Sequence, residues 1–327
     1  MTRRSAPPSP LPRRLALAAS LVILLAAPLT AGAANGGGNG AAAFEFDVIG
    51  HSFGDGAGEA VLKRAIADAN QERPAFVVAT GIKAAREPCS DRLYAQRKAV
   101  LDESDAALIV ALAGSDWTEC LNSAGRSGAV ERLNRLREVF FTDGQSLGAR
   151  HVAVTRLSAT AKFRSYAEYA HWQVGNVLFA TINLPAANNH YRPEAGRNSE
   201  YEDRLVANRA WLHRLFTLAG QQKLDGVVLF SDGDIGLQAE ESSFLSGFSA
   251  RQDGFAEPRR QLKALAQKFK GKLLLVDARG TAEGAPAIVW HDNVGHLSLA
   301  AQSAGVRVNP GAAVLFTLKD AGADAAP

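Results

Sequence analysis

The sequence predicts a layered α/β domain. Apolar runs of strand length alternate with amphipathic runs of helical period through the first third of the 327-residue chain. The connections between these runs are short, as crossovers in a layered α/β fold are. After the last helical run the chain turns to closely spaced strand candidates, and no internal repeat interrupts the pattern.

The elements follow in order. Residues 44–50 (FEFDVIG) read as the first strand. Residues 58–70 place Val61, Leu62, Ala65, Ile66 and Ala69 on one helical stripe. Residues 75–80 (AFVVAT) are a buried strand, and 91–101 a helix with Ser90 as its N-cap. Residues 106–112 (AALIVAL) are a third strand, followed by a helix over 129–141. Residues 174–184 (VGNVLFATINL) read as one long strand. Residues 200–220 form a long helix with Trp211, Leu212, Leu215 and Phe216 on its apolar face. Then come a strand at 226–230, a helix at 258–269 and a strand at 272–276. Short strands are predicted at 287–291, 306–309 and 313–318. The Ala-rich tail at 320–327 reads as disordered.

The first 33 residues are a separate object. Arg3, Arg4, Arg13 and Arg14 precede an apolar run at 15–27 and the small-residue site Ala31-Gly32-Ala33. That is the pattern of a cleaved secretory signal, too short in its apolar run for a spanning helix. A Gly/Ala spacer at 34–43 leads to the domain proper at 44–319. The protein is therefore expected in the periplasm or outside the cell, with no membrane span after cleavage. The leader removes four arginines and no acid from a formal charge of +3, leaving −1. No basic domain face remains, so nucleic acid is not an expected partner. Cys89 and Cys120 are the two cysteines. In an exported chain an even count reads as one disulfide, against the alternative of two buried thiols.

Gly50-His51-Ser52-Phe53-Gly54 matches the G-x-S-x-G nucleophile elbow directly after a strand. An α/β-hydrolase elbow follows several strands and borrows an N–H from an upstream loop. Here the leader and spacer occupy nearly all of the preceding chain. A Ser-Asp-His order can be assembled from Ser52, Asp232 or Asp277, and His291 or His296, but a chain with this many Asp and His residues offers such orders by chance. Gly50 and Gly54 read better as parts of a tight strand-to-helix turn.

Several separated stretches carry a resemblance. FDVIG, AFVVATGIK, PCSDRLYAQRKAVLDES, GSDWTEC and AVERLNRLREVFF followed by SLG, then YAEYAHWQVGNVLFATINL, EYEDRLVANRAWL and GVVLFSDGD, resemble the calcineurin-like metallophosphoesterases of bacterial envelopes. The resemblance covers roughly residues 44–280. It implies a four-layer α/β/β/α sandwich. Its most specific pieces, Pro88-Cys89-Ser90-Asp91 and Trp117-Thr118-Glu119-Cys120, put the cysteines where relatives carry a pair.

The resemblance also implies two metal ions held at the C-terminal ends of the strands, generating a hydroxide and clamping a phosphoryl group. At those positions this chain departs from the pattern. His51 stands where the first strand normally ends in Asp. The second strand reads Thr80-Gly81-Ile82-Lys83, without the bridging Asp. The third reads Ala113-Gly114-Ser115-Asp116-Trp117, so Ser115, or with a one-residue gap Asp116, replaces the Asn ligand. Asp277-Ala278-Arg279-Gly280-Thr281 follows LLLV in place of a histidine pair. Four such departures predict that the dinuclear centre is lost and that the cleft binds a small-molecule or phosphoester ligand without hydrolysing it, no cofactor being required.

The polar residues expected at the strand ends are His51, Ser52, Asp55, Asp116, Asn188, Asn189, His190, Ser231, Asp232, Asp234 and Asp277. His51, Asp116, Asn188 and His190 are the candidates for catalysis. Asp232, Asp234 and Asp277 are the candidates for a rebuilt site holding one divalent ion (Mn, Fe, Zn or Ca), with Asp232-Gly233-Asp234 offering two carboxylates on one turn. The bland alternative for these is a set of turn residues. His51 beside Ser52 is the candidate base-nucleophile pair. Trp117 and Trp172 read as packing.

Overall fold

The computed structural model describes residues 42–54, 58–193, 198–237, 253–280 and 284–319, all within the compact unit Gly40–Pro327. The leader at 1–33, most of the spacer at 34–43, the tail at 320–327 and Asp55 lie outside the described residues.

The fold is mixed α/β with two mixed sheets. The first sheet is built from β1 (Phe44–Ile49), β2 (Val77–Thr80) and β3 (Leu108–Ala111), completed by β11 (Ser303–Val308) and β12 (Phe316–Leu318). Its order is β12-β11-β1-β2-β3. The three early strands run parallel, and β11 pairs antiparallel to β1. Parallel neighbours require crossovers, which α1 (Glu59–Glu72) and α2 (Asp91–Asp102) supply; α3 (Ala129–Phe140) follows β3. The predicted stripe of α1 is buried at Leu62, Ile66 and Ala69, and α3 buries Ala129, Leu133, Leu136 and Phe140. Ser90 caps α2, its hydroxyl accepting the Leu93 N–H at 3.2 Å.

The second sheet comprises β4 (Thr155–Arg156), β5 (Ala170–Val174), β6 (Val177–Thr181), β7 (Gly226–Phe230), β8 (Lys272–Asp277), β9 (Ile288–His291) and β10 (Val294–Ser298). Its order is β4-β5-β6-β7-β8-β10-β9. Strands β6, β7, β8 and β10 are mutually parallel. The helices α4 (Ser199–Gln221) and α5 (Ala256–Lys268) provide crossovers.

Three apolar clusters organise the interior. One joins Leu62, Leu101, Leu133 and Leu136 of the first three helices to Val77, Ala79, Leu108 and Val110. The second brings Phe46, Phe76 and Ile109 of the first sheet together with Phe179, Phe230 and Val276 of the second. The third joins Trp211, Leu212 and Leu215 of α4 to Leu178, Val227 and Leu229. Alternate residues along one strand therefore serve different clusters, as the two-residue period of a strand requires.

The expected long strand at 174–184 is instead a hairpin: β5 and β6 pair antiparallel around Gly175 and Asn176. Gly175 supplies the positive φ of 54° that such a two-residue turn needs. Strand β10 is another departure. Its Gly295, His296 and Ser298 hide the apolar pattern, and pairing with β8 makes it a strand.

Candidate functional site

The C-terminal ends of the parallel strands from both sheets meet in one polar cluster. Its link is Asp232, just past β7. One carboxylate oxygen accepts the Gly114 N–H beyond β3 at 2.7 Å and the Ala186 N–H beyond β6 at 2.8 Å. Burial pushes the Asp232 carboxyl up, opposed by those two N–H groups. Asp116 is used the same way. Oδ1 accepts the N–H groups of Ile82 at 2.9 Å and Lys83 at 3.2 Å, and Oδ2 accepts that of Ala113 at 2.8 Å. Burial raises its carboxyl to about 6, with His51 and the Ile82 and Ala113 N–H groups pulling down. Both candidates are thus tied to backbone, a use that locks the loops after β2, β3 and β6 together.

His51 pairs with Ser115 rather than with its neighbour Ser52. His51 Nε2 lies 2.7 Å from Ser115 Oγ, and its Nδ1 is buried without a partner. Ser52 is 1% exposed and its hydroxyl donates weakly to the Gly50 carbonyl at 3.4 Å. A nucleophile elbow needs an exposed hydroxyl, and Ser52 does not present one. The imidazole also occupies the end of β2. Gly81 has a positive φ of 71°, and a Cβ there would fall 2.6 Å from His51 Cδ2 and 2.9 Å from the Ala113 Cβ. No side chain can stand at Gly81 while His51 holds this position.

Asn188, Asn189 and His190 take three successive left-handed conformations, with φ of 50°, 52° and 52°. Such a run is strained for L residues, least for Asn. Arg204 of α4 holds it. Its guanidinium is fully buried, donates to the Asn189 carbonyl at 2.8 Å and to its side-chain oxygen, and pairs with Glu200 at 2.7 Å. The Asn189 amide donates to the Gly254 carbonyl at 2.9 Å, and Asn188 Oδ1 accepts the Gly254 N–H at 2.8 Å. His190 packs its ring against Trp117, centroids 4.9 Å apart, and burial lowers its pKa. Ser231 donates to the Gly233 carbonyl at 3.0 Å. Trp117 and Trp172 are both buried.

The structure separates Asp234 from Asp232 and places it with Asp277 and His296. Each of the three offers one ligand atom, all within 4.8 Å of one another. Asp277 closes β8, and Ser298 is its register partner on β10. His296 and Ser298 are two residues apart, so they share a face of that strand. The Ser298 hydroxyl donates to Asp277 Oδ1 at 2.6 Å, the Arg279 N–H to the same oxygen at 2.8 Å, and His296 Nε2 meets Oδ2. His296 Nε2 lies 3.8 Å from Asp234 Oδ1. The Asp277 hydrogen bond raises the His296 pKa, with burial opposing. Two carboxylates and an imidazole on a partly open rim are a donor set for one divalent ion. His296 was visible in sequence as a histidine. Its place beside Asp277 depends on the β8–β10 register.

The two-metal centre implied by the resemblance does not fit these residues. The end of β2 has no side chain, both Asp116 carboxylate oxygens and one of Asp232 are taken up by backbone N–H groups, and the His51 ring stands where a side chain at Gly81 would be. The cysteines lie at disulfide distance, Cα–Cα 5.8 Å. Among the described residues no helix is long and apolar enough to cross a membrane.

The architecture and this cluster define a mixed α/β protein with a backbone-tied polar cluster at its strand ends and a separate three-residue candidate metal group. The sequence matches no protein-family model and no curated protein.

Proposed function

We propose that this chain is an exported protein on a four-layer α/β/β/α scaffold of the calcineurin-like phosphoesterase type, whose dinuclear centre is lost and whose role is ligand binding rather than phosphoester hydrolysis. The three apolar clusters, one beneath each set of helices and one between the sheets, support the layer order. The Arg-flanked apolar leader supports export to the periplasm or beyond. The observation that carries the loss of hydrolysis is the His51 ring lying where any Gly81 side chain would stand. A bridging carboxylate at that place is sterically incompatible with this His51.

A second reading is favoured by the grouping of Asp234, Asp277 and His296. In it a single Mn, Fe, Zn or Ca ion binds there and supports hydrolysis of a phosphoester by a rebuilt, mononuclear site.

One experiment separates the readings. The mature protein is offered Mn, Fe, Zn and Ca without chelators, bound ions per chain are counted by mass spectrometry, and turnover of an aryl phosphate is followed. The proposal expects no turnover, with either no ion or one. One ion with turnover, both lost in His296→Ala, establishes the second reading. About two transition-metal ions per chain overturns the first outright.

A further inference from the structure

A cavity of about 870 Å³ opens at the other end of the second sheet, where β7 and β8 begin. That is within the range of about 300–1,000 Å³ typical of small-molecule sites. Its apolar lining comes from Phe216, Leu224, Leu265, Phe269 and Leu315. Lys223, Lys268, Lys270 and Lys272 line it as well, against one acid, Asp225. Asp225 Oδ2 accepts the Asn176 amide at 3.0 Å. Lys272 donates to the Asp292 carbonyl at 3.3 Å. Among the described residues Lys223, Lys268 and Lys270 have no carboxylate partner. Four lysines around one mouth stand out in a chain whose charge without the leader is −1.

We infer that this cavity binds a single-chain lipid with a phosphate head group, a lysophosphatidic acid. The lysine ammoniums sit on flexible stems whose methylenes extend the apolar wall. They neutralise charge without demanding a fixed head-group geometry. A phosphate monoester carries close to two negative charges at neutral pH, which matches several unpaired cations better than one carboxylate does. The walls argue against a bare anion held inside. The cavity is flanked by the C-terminal ends of α4 and α5, which carry partial negative charge. The head group therefore belongs at the exposed lysines, and the hydrocarbon chain inside. Phe216 and Phe269 meet edge to face, centroids 5.6 Å apart, and so form an apolar wall rather than a parallel slot for a base. This site shares no residue with the strand-end cluster, and its failure would leave the proposed function standing.

The test is calorimetric titration of the mature protein, below micelle concentrations, with 1-acyl lysophosphatidic acids of increasing chain length. Lysophosphatidylcholine and inorganic phosphate serve as comparators. Each added methylene is expected to tighten binding about fourfold. Inorganic phosphate alone should not bind, and lysophosphatidylcholine should bind more weakly. Lys268→Glu with Lys270→Glu, both exposed, should weaken the acid more than tenfold and the zwitterion little. Gly220→Trp should block both lipids. Gly220 lines the cavity and a Cβ there meets nothing within 4 Å, so a side chain at that position starts into open space. Absence of saturable lipid binding overturns the proposal, as does binding unchanged in both variants. Phosphate bound as tightly as the lipid overturns it too. Concentration-dependent self-association lost in Gly220→Trp would reassign the cavity to a protein interface.

Discussion

Asp47 sits in the middle of β1, paired with Gly305 on one side and Val77 on the other, and is 7% exposed. Burial, reinforced by Glu72 and Glu45 and opposed by Lys319, pushes its carboxyl from 3.8 to about 7. The native state thus keeps this proton over a range where the unfolded chain has released it. Between about pH 4 and pH 7 the unfolded state binds fewer protons, so stability falls as pH rises through that window and levels off above it. Asp47→Asn has the same shape and no charge. The variant should match the parent near pH 4 and exceed it at pH 8, by at most about 4 kcal/mol at about 1.4 kcal/mol per pH unit. Urea unfolding at the two pH values reads the difference. An equal increment at both would mean the Asp47 carboxyl is not the titrating group. Residue chemistry was only partly legible in the sequence. Asp232 and Asp234 are separated by one glycine, and as a sequence they look like one chelating pair. Their different jobs come from the loops after β3 and β6, whose N–H groups claim Asp232, and from β10, whose His296 lies beside Asp234. No local spacing encodes either neighbour.

Elements were more legible where period and caps agree. The apolar faces of α1 and α4, the Ser90 cap and strand β7 stand as the sequence predicts. The reading failed where pairing rather than period makes the strand. Gly175-Asn176 is a two-residue hairpin signal between two strand-length segments, and it is the available clue to β5 and β6. Strand β10 offered no such clue. It is apolar at Val294 and Leu297 only, and β8 on one side with β9 on the other supply its order. The cysteine pair acts at this scale too. Cys89 precedes α2 and Cys120 follows the Asp116 turn, 31 residues apart. The cross-link therefore fixes the start of a helix to the loop that carries the strand-end latch. Closing a loop of that length removes about 3–4 kcal/mol of unfolded-state entropy. Replacing both cysteines by serine should lower stability by about that amount and leave the far half of the second sheet intact. Hydrogen exchange would locate the loss: protection should fall first at residues 82–84 and 113–120. Loss spread evenly over both sheets would refute a local latch.

At the scale of the whole molecule, the seam between the two sheets decides whether the protein unfolds as one body. Phe179 on β6 is fully buried and reaches across to the first sheet. Its ring centroid lies 4.8 Å from Phe76, 5.2 Å from Phe46 and 6.2 Å from Phe44. On its own sheet it stacks on Trp172 at 5.8 Å. The offset and edge-on contacts are those aromatic quadrupoles favour. The same seam keeps the strand ends of both sheets in register, so that Asp232 of one can accept the Gly114 N–H of the other. Phe179→Ala would remove the ring that four aromatics share. A buried Phe→Ala change costs about 3–5 kcal/mol, because the surrounding side chains collapse only partly into the cavity. For a chain of this size that corresponds to a fall in Tm of about 10 °C. Because the second apolar cluster draws on both sheets, the parent protein should lose its tryptophan near-UV signal and its far-UV signal at one midpoint, and the variant should do so at a lower but still shared one. Two separated midpoints in the parent would mean that the sheets are independent units and that the Asp232 link is a surface contact. A loss below about 1 kcal/mol in Phe179→Ala would place the load of the seam elsewhere among its aromatics.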